Sequence, residues 1–328
     1  MLEAILLRVM LEKLSADNLQ SVITTFTNYQ AEVEWDLTMK CNYSCTYCES
    51  YNNSDPTQLR SLEEYINAIS YLKEYFQNKT ARIDILGGEP TLFKHWDIFL
   101  NEIDKAGFIP KITTNLSMNN KTLSKKVATL KPKNCIDVSW HPQFAVEETI
   151  INNIKTIYNS GHLRSISIAG DKRYWNKVIR AYESVKYTNK CEVCFLKDES
   201  SGKTVVAEAI INYSKSEKEY IQNSLQADIP TFETVITKTD GKTYTINSVI
   251  DFLSNNINNF KGLKCEIGFD RLHIKPNGDV YPSACLLNYP KARLGNIYKE
   301  NLHKPKNPIK CPFTFCGCGP DLRINKYA

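Results

Sequence analysis

Three cysteines lie close together in the sequence, spaced Cys-x3-Cys-x2-Cys at Cys41, Cys45 and Cys48. Thiolates hold the irons of iron–sulfur clusters, and three of them on one short loop can bind three irons of a cubane. The fourth iron then lacks a protein ligand and can accept the amino and carboxylate groups of a methionine moiety. Zinc is the alternative, although it would need a fourth ligand nearby and more often uses paired Cys-x2-Cys units. The spacing therefore favours a [4Fe–4S] cluster with one open iron.

The remaining cysteines of the chain, which has 11 in all, are also mostly grouped. A late set comprises Cys265, Cys285, Cys311, Cys316 and Cys318. Cys191 and Cys194 form a pair, and Cys135 stands alone and is interpreted as a small buried hydrophobe. A cytosolic protein has little use for structural disulfides, so grouped cysteines indicate metal or redox chemistry.

Composition favours a soluble cytoplasmic protein without a membrane span. The apolar start of the chain is interrupted by Glu3 and Arg8 and lacks the basic start and small-residue cleavage site of a signal peptide. We expect an amphipathic helix there. The net charge of +5 comes from scattered basic residues, so nucleic-acid binding is not required, and a modest basic face would suit an acidic electron-donor protein.

Strand-like and helix-like segments alternate between residues 31 and 200. The expected strands are residues 33–37, 82–86, a strand ending at 115, 136–140, 165–169 and 191–196. Helical patterns separate them, and a capping box formed by Ser61 and Glu64 opens the first helix. Strands that alternate with helices predict a parallel sheet, which right-handed crossovers curl into an open or closed barrel. Chemistry is then expected at the carboxyl ends of the strands.

The pattern changes after residue 200, where residues 234–245 and 271–281 are expected to form hairpins with Asp-Gly and Asn-Gly turns. No long strand–helix–strand repeat continues there, so we place a domain boundary near that point. The expected organisation is an N-terminal helical extension over residues 1–30, an α/β core over 31–200 and a small α+β domain over 201–328.

Glycine and polar residues follow the ends of the expected strands. Gly87-Gly88-Glu89-Pro90 closes the second strand; its glycines allow close backbone approach, and Glu89 offers an anion to an ammonium group. Thr114-Asn115 and Ser139 end the third and fourth strands, where polar side chains can also simply cap the next helix.

Taken together, Cys41-Asn-Tyr-Ser-Cys45-Thr-Tyr47-Cys48 and the later Gly-Gly-Glu-Pro segment resemble the signature of the radical S-adenosylmethionine (SAM) superfamily. The resemblance covers about residues 31–200 and implies a partial (β/α)6 radical SAM barrel whose [4Fe–4S] cluster binds SAM. It implies SAM contacts from Tyr47 and from the segment Gly87, Gly88, Glu89 and Pro90, which receives the amino group. Thr114, Asn115 and Ser139 are weaker matches to positions that contact the ribose or carboxylate of SAM.

The late cysteines resemble the twitch domain, a shortened SPASM extension that holds an auxiliary [4Fe–4S] cluster. The hairpin over 271–281 would bring Cys265 and Cys285 together despite the 19 residues between them. Five cysteines exceed the four that one cluster needs, and Cys311-x4-Cys316-x-Cys318 is not the most familiar spacing of the family, so the identity of the non-ligand stays open. Zinc is again the alternative.

The resemblance implies that an electron, supplied by a flavodoxin- or ferredoxin-type protein, cleaves SAM to methionine and a 5′-deoxyadenosyl radical. That radical would abstract hydrogen from a polar small-molecule or nucleotide-derived substrate. Modification of a ribosomally made peptide is the alternative. A SAM-independent iron–sulfur electron carrier or regulator is an alternative of another class, which the Gly-Gly-Glu-Pro segment disfavours.

Two residues are candidates for a direct role in the reaction. His141 follows the fourth strand and would face the cavity, although a histidine is as often a satisfied core residue. Cys191 and Cys194 are three apart on a strand and should face opposite sides, so they should not chelate one metal. Buried packing is favoured for this pair, and a thiol that faces the barrel, for which Cys194 is the candidate, could donate hydrogen to a substrate radical. Arg82 with Asp84, and Asp137 with Ser139, would also line the interior, although buried ion pairs explain them equally well.

Overall fold

The structure is a computed structural model. It describes residues 18–48, 59–77, 79–194, 196, 213–224, 232–246, 249, 252, 257–299 and 301–328. Residues 1–17, which hold most of the expected N-terminal helix, therefore lie outside the described residues. Within the described ranges no helix has the length and apolar character needed to span a membrane.

The core is a parallel sheet in which strands β2 to β7 lie side by side in chain order. Their bounds are β2 Ala31–Thr38, β3 Ala81–Gly87, β4 Ile109–Thr114, β5 Ile136–Trp140, β6 Leu163–Ala169 and β7 Cys191–Cys194. The helices that accompany them are α1 Leu62–Phe76, α2 Trp96–Lys105, α3 Asn120–Thr129, α4 Glu147–Asn159, α5 Trp175–Val185 and α6 Lys215–Ser224. The six expected strands and the α/β class are confirmed.

The C-terminal part of the chain adds further strands, three of which extend this sheet. Its strands are β8 Phe232–Lys238, β9 Thr243–Ile246, β10 Lys264–Cys265, β11 Arg271–Ile274, β12 Asp279–Tyr281, β13 Gly295–Asn296, β14 Ile309–Lys310 and β15 Lys326–Tyr327, with a short helix, α7, at Gly319–Leu322. Strand β11 pairs in parallel with β2, so the sheet order is β13-β12-β11-β2-β3-β4-β5-β6-β7. Its two edge strands do not pair with each other in the described part of the chain, so the sheet is open rather than a closed barrel.

The expected helical extension over residues 1–30 is wrong where the structure describes it. Residues Leu19–Phe26 form strand β1, because this segment is rich in β-branched residues and alternates buried with exposed positions. Strand β1 pairs with β8 and β15 in a second, six-stranded sheet with the order β14-β10-β15-β1-β8-β9. Chain pairing therefore crosses both of the boundaries expected at residues 30 and 200.

Alternation along the strands separates an apolar outer face from a charged interior. Trp35 of β2 packs edge-on against Tyr65 of α1 and Phe99 of α2, with ring centroids 6.0 and 5.4 Å away. The adjacent Glu34 points to the opposite face, where it contacts His273 of β11. Helices thus cover one side of the sheet, and ionisable groups fill the other.

The interior charges are paired with one another. Arg82 donates to Asp84 at 2.7 and 3.0 Å, to the Tyr29 hydroxyl at 2.7 Å and to Glu32. Asp137 accepts from Arg164 at 2.8 Å and lies 3.2 Å from the Lys111 ammonium. For Arg82, Asp84 and Asp137 the buried ion-pair interpretation is confirmed, because their charged groups contact protein partners.

His273 links the C-terminal strand β11 to β2. Its Nδ1 lies 3.1 Å from Glu34 Oε2, and its Nε2 lies 2.9 Å from Asp36 Oδ2. Burial alone would lower the pKa of His273, but hydrogen bonds with Asp36 and Glu34 raise it to about 9. Burial alone would raise the pKa of Glu34, but Arg271 and His273 lower it to about 2. The imidazolium of His273 and the carboxylate of Glu34 are therefore charged together at neutral pH.

This pairing predicts a pH-dependent stability. Because the folded-state pKa of His273 is raised, its stabilising contribution is complete below its ordinary pKa and is lost as pH rises through about 9. His273→Gln should lower the free energy of unfolding most at about pH 6 and less at about pH 10, as measured by urea denaturation at both pH values. His303→Gln, at an exposed histidine, is the control. A His273→Gln effect that is the same at both pH values would contradict the assignment.

Candidate active site

A cavity of about 550 Å³ opens where the carboxyl ends of β2 to β5 meet. It is lined by Cys41, Cys45, Cys48, Gly87, Gly88, Glu89, Thr114, Asn115, Ser139 and His141, among others. The structure thus brings the cysteine loop together with most of the residues that the sequence predicts for SAM. Tyr47 and Pro90 are not among the lining residues: Tyr47 contacts His141, and Pro90 is buried at the start of a 3-10 turn.

The glycines of the Gly-Gly-Glu-Pro segment dock this strand end against the cysteine loop. Gly88 N donates to Thr38 O at 2.6 Å, and Glu89 N donates to Lys40 O at 2.8 Å. A Cβ atom on Gly88 would lie 2.2 Å from Lys40 O, and one on Gly87, whose φ is +124°, would lie 2.1 Å from Thr38 O. The absence of side chains therefore permits close approach to the backbone that leads into Cys41.

The Glu89 carboxylate organises the neighbouring strand end. Its Oε1 accepts from Thr91 N at 3.0 Å, from the Thr91 hydroxyl and from the Thr114 hydroxyl at 2.7 Å, and its Oε2 accepts from Asn115 N at 2.7 Å. Burial raises the pKa of Glu89, and these four donors act in the opposite direction. Oε2 has fewer protein donors than Oε1, so it is the oxygen with room for a ligand ammonium.

An asparagine that the sequence reasoning missed ties the cysteine loop to the end of β4. Asn42 Oδ1 accepts from Asn115 Nδ2 at 2.9 Å, and Asn42 Nδ2 donates to the Ser117 hydroxyl at 2.7 Å. On the other side of the loop, Arg173 donates to the Thr46 hydroxyl at 2.6 Å. Only the position of Asn42 directly after Cys41 could have drawn attention to it.

His141 holds the loop through Tyr47. The Tyr47 hydroxyl lies 2.8 Å from His141 Nδ1, and the two rings stack with centroids 5.8 Å apart. Burial lowers the pKa of His141 to about 4 and, with the nearby Cys45, raises the pKa of Tyr47 above its ordinary value. Both rings are therefore neutral at pH 7, and one hydrogen bond joins the Tyr47 hydroxyl to the His141 imidazole.

The three early cysteines form a donor set suited to a cluster. Burial raises the pKa of Cys41 and raises that of Cys45 to about 11; Cys48 raises both further, and Cys41 also raises the pKa of Cys45. Thiolates brought this close together need cations to offset their charge, which irons supply. Among the described residues no three His, Cys, Asp or Glu side chains converge on one point as a single metal ion requires. A cubane differs in this respect, because each thiolate binds a separate iron.

Four of the five late cysteines lie near one another. Cys311 N donates to Leu263 O at 2.8 Å, next to Cys265 on β10, while Cys285 N donates to Asp321 Oδ2 at 3.0 Å. Burial raises the pKa of Cys265 to about 11 and that of Cys285 to about 12, and both are raised further by Cys311. Burial likewise raises the pKa of Cys316, with added contributions from Cys285 and Cys265.

Cys318 has different neighbours. Burial raises its pKa, and the other main influences are Asp321, Glu34 and Arg271, which lie at the charged interior of the main sheet. Cys265, Cys285, Cys311 and Cys316 therefore lie in one neighbourhood, and Cys318 lies toward the charged interior of the main sheet.

The pair on β7 splits across the sheet as predicted. Cys191 packs in the apolar core, whereas the Cys194 sulfur lies 3.5 Å from Glu192 Oε1 on the other face. Ser167 of β6 also donates to Glu192, at 3.2 Å. Cys194 thus faces the polar interior.

Comparison with known proteins agrees with this geometry. Residues 35–182 match the Radical SAM superfamily. The structure of Streptococcus suis SuiB bound to the precursor peptide SuiA is similar, with a TM-score of 0.55 and 17% sequence identity over 84% of this chain and 64% of that chain. Native anSMEcpe with bound AdoMet is similar with a TM-score of 0.52 and 14% identity, over 82% of this chain and 79% of that chain. A search of curated proteins gave no significant match.

The matched segment contains the cysteine loop, the Gly-Gly-Glu-Pro segment and the following strand ends. The chain therefore contains a Radical SAM domain over residues 35–182. It spans slightly less than two thirds of the length of SuiB, with 64% covered.

The hydrogen bonds of Glu89 predict the effect of an isosteric change. Glu89→Gln places an NH2 group among four donors, so it should disorder the Thr114–Asn115 strand end and weaken SAM binding by about 1–3 kcal/mol. Isothermal titration of the reconstituted protein with SAM measures this effect. Glu63→Gln, at an exposed position of α1, is the matched control. If both variants bind SAM as the wild type does, Glu89 has no part in the site.

Proposed function

We propose that this enzyme reductively cleaves SAM at a [4Fe–4S] cluster on Cys41, Cys45 and Cys48 and abstracts hydrogen from a polar substrate. The observation that carries the proposal is the single cavity shared by the three cysteines and the Gly87–Glu89 strand end. When bound, the cluster supplies the electron that splits SAM into methionine and a 5′-deoxyadenosyl radical, with a flavodoxin- or ferredoxin-type protein as the electron source.

The residues of the chain then bind and orient SAM. Oε2 of Glu89 and the adjoining backbone receive the SAM ammonium, while Thr114, Asn115 and Ser139 line the same cavity for its ribose and carboxylate. Tyr47 and His141 brace the loop through their mutual hydrogen bond, and Pro90 fixes the turn that follows Glu89. We propose His141, which lines the cavity, and the Cys194 thiol, which faces the polar interior, as the groups that meet a substrate.

We further propose an auxiliary [4Fe–4S] cluster in the late part of the chain. Cys265, Cys285, Cys311 and Cys316 lie near one another, and Cys318 is the surplus cysteine on the side of Arg271. These residues come from short strands and loops that pack against two small buried apolar clusters, and ligation of iron would further hold these segments together. The cluster would assist substrate oxidation or binding.

The polar interior supports a polar small-molecule or nucleotide-derived substrate. Glu192, Ser167 and Cys194 present polar atoms on the inner face of β6 and β7. A ribosomally made peptide is the second candidate, favoured by the similarity to SuiB, whose structure contains a precursor peptide. Deuterium transfer from labelled candidate substrates into 5′-deoxyadenosine distinguishes the two, because only the true substrate donates its hydrogen.

Replacement of the early cysteines tests the radical SAM site. The reconstituted wild type should bind about eight irons, and the Cys41/Cys45/Cys48→Ala triple variant should bind about four and form no 5′-deoxyadenosine with dithionite and SAM. Iron analysis and chromatography of the nucleoside measure the two results. Continued SAM cleavage by the triple variant would refute the proposal, and a wild type that never forms 5′-deoxyadenosine would favour an electron carrier.

Replacement of the late cysteines tests the auxiliary cluster. Cys265→Ala and Cys285→Ala should each lose about four irons but still cleave SAM without coupling it to product, because the early loop is unchanged. Cys135→Ala is the matched control, since Cys135 is buried with its thiol 3.1 Å from Pro132 O and belongs to neither group. A variant that lacks both Cys265 and Cys285 yet keeps eight irons would refute the second cluster.

A further inference from the structure

Lys326 is a lysine buried in the part of the protein that holds the late cysteines. Only 1% of its surface is exposed, whereas lysine is almost never fully buried without a partner. It lies on β15 directly opposite Cys265 of β10. Directly opposed residues of an antiparallel pair project to the same face with Cβ atoms about 4.5–5.5 Å apart. The Lys326 and Cys265 side chains are therefore immediate neighbours.

The hydrogen bonds of Lys326 show that it carries a charge. Its Nζ donates to the carbonyl oxygens of Asp321 at 2.9 Å, Leu322 at 3.1 Å and Ile324 at 2.6 Å. Three donated bonds require the three N–H groups of an ammonium, because a neutral amine has only two. The ammonium also lies 4.5 Å from the ring centroid of Phe260.

This buried cation lacks an ordinary counter-ion. Among the described residues Nζ has no ion pair with a carboxylate; the buried Asp321 carboxylate, whose pKa Lys326 lowers against the larger effect of burial, lies 3.8 Å from Arg271. The groups nearby that become anionic on metal binding are the thiols of Cys265 and Cys316, whose pKa values the ammonium lowers against the larger effect of burial. A cluster with four thiolates has a net negative charge, which is the partner that the site otherwise lacks.

We infer that Lys326 is a positioning residue of the auxiliary cluster, supplying the buried positive charge that offsets its thiolates and fastening helix α7 to strand β10. The inference rests on the auxiliary cluster proposed above. Its ammonium bonds to the carbonyl groups around α7, a helix that follows Cys316 and Cys318 in the chain. The backbone of Lys326 pairs with β10, the strand that carries Cys265. A positive charge this close stabilises the reduced cluster more than the oxidised one, so Lys326 raises the reduction potential.

Charge-altering variants of the reconstituted full chain test this role. Lys326→Gln keeps hydrogen-bond donors without the charge, and Lys326→Arg keeps the charge. Lys264→Gln is the matched control, because Lys264 precedes Cys265 on the same strand but is exposed. The readouts are iron content and the midpoint potential of the auxiliary cluster, followed by electron paramagnetic resonance in a potentiometric titration.

We expect Lys326→Gln to retain about eight irons with a more negative auxiliary midpoint potential, and Lys264→Gln to match the wild type. A Lys326→Gln potential equal to that of the wild type would overturn the inference. Lys326→Gln could instead lose the auxiliary iron. In that case, retention of the iron by Lys326→Arg supports a requirement for positive charge, whereas loss of the iron in both variants refutes that requirement. A wild type with only about four irons would mean that the auxiliary cluster itself is wrong, which separates that failure from a failure of Lys326 alone.

Discussion

The buried carboxylate of Glu32 is the interaction on which the arrangement of the whole chain depends. Arg82 of β3 donates to it, Arg323 donates to both of its oxygens at 2.9 and 3.1 Å, and Arg271 of β11 lies 3.9 Å away. A carboxylate with 2% exposure is costly to bury unless it is paired, and here the pairing groups come from the core and from the C-terminal region. Glu32 thereby fixes the late part of the chain to the strand that leads into the cysteine loop.

The same design continues along β2 toward the active site. Glu34 and Asp36 follow Glu32 on the inner face, and His273 bonds to both. Beyond them the strand ends at Thr38, whose carbonyl accepts from Gly88, and the cysteine loop begins. The position of Cys41 is thus set by charge pairing on one flank and by glycine-mediated backbone contact on the other. Neither flank would be in place without the pairing of β2 to both β3 and β11.

Features with a local sequence period could be predicted, and features set by distant pairing could not. The six core strands, the Ser61–Glu64 capping box and the hairpin of β11 and β12 each follow from short-range alternation or turn residues. The parallel pairing of β11 with β2 has no such signal, because Glu34 and His273 are 239 residues apart. The pairing of β1 with the distant β8 and β15 likewise has no local signal, although the β-branched residues of Leu19–Phe26 are local evidence for a strand rather than for the expected helix. At the site, the cysteines and strand-end residues were recognisable by type, whereas the anchoring by Asn42 depends on tertiary contacts.

The pairing of β11 with β2 also has a consequence for biosynthesis. While the chain is being made, β2 can join β3 early, but its other edge has no partner until the residues near 271 leave the ribosome. During that interval the edge of β2 presents unpaired backbone groups and acidic side chains, a combination that discourages edge-to-edge aggregation. The cysteine loop follows this unfinished edge directly, so its anchoring on the side of β11 is completed only after the residues near 271 have been made.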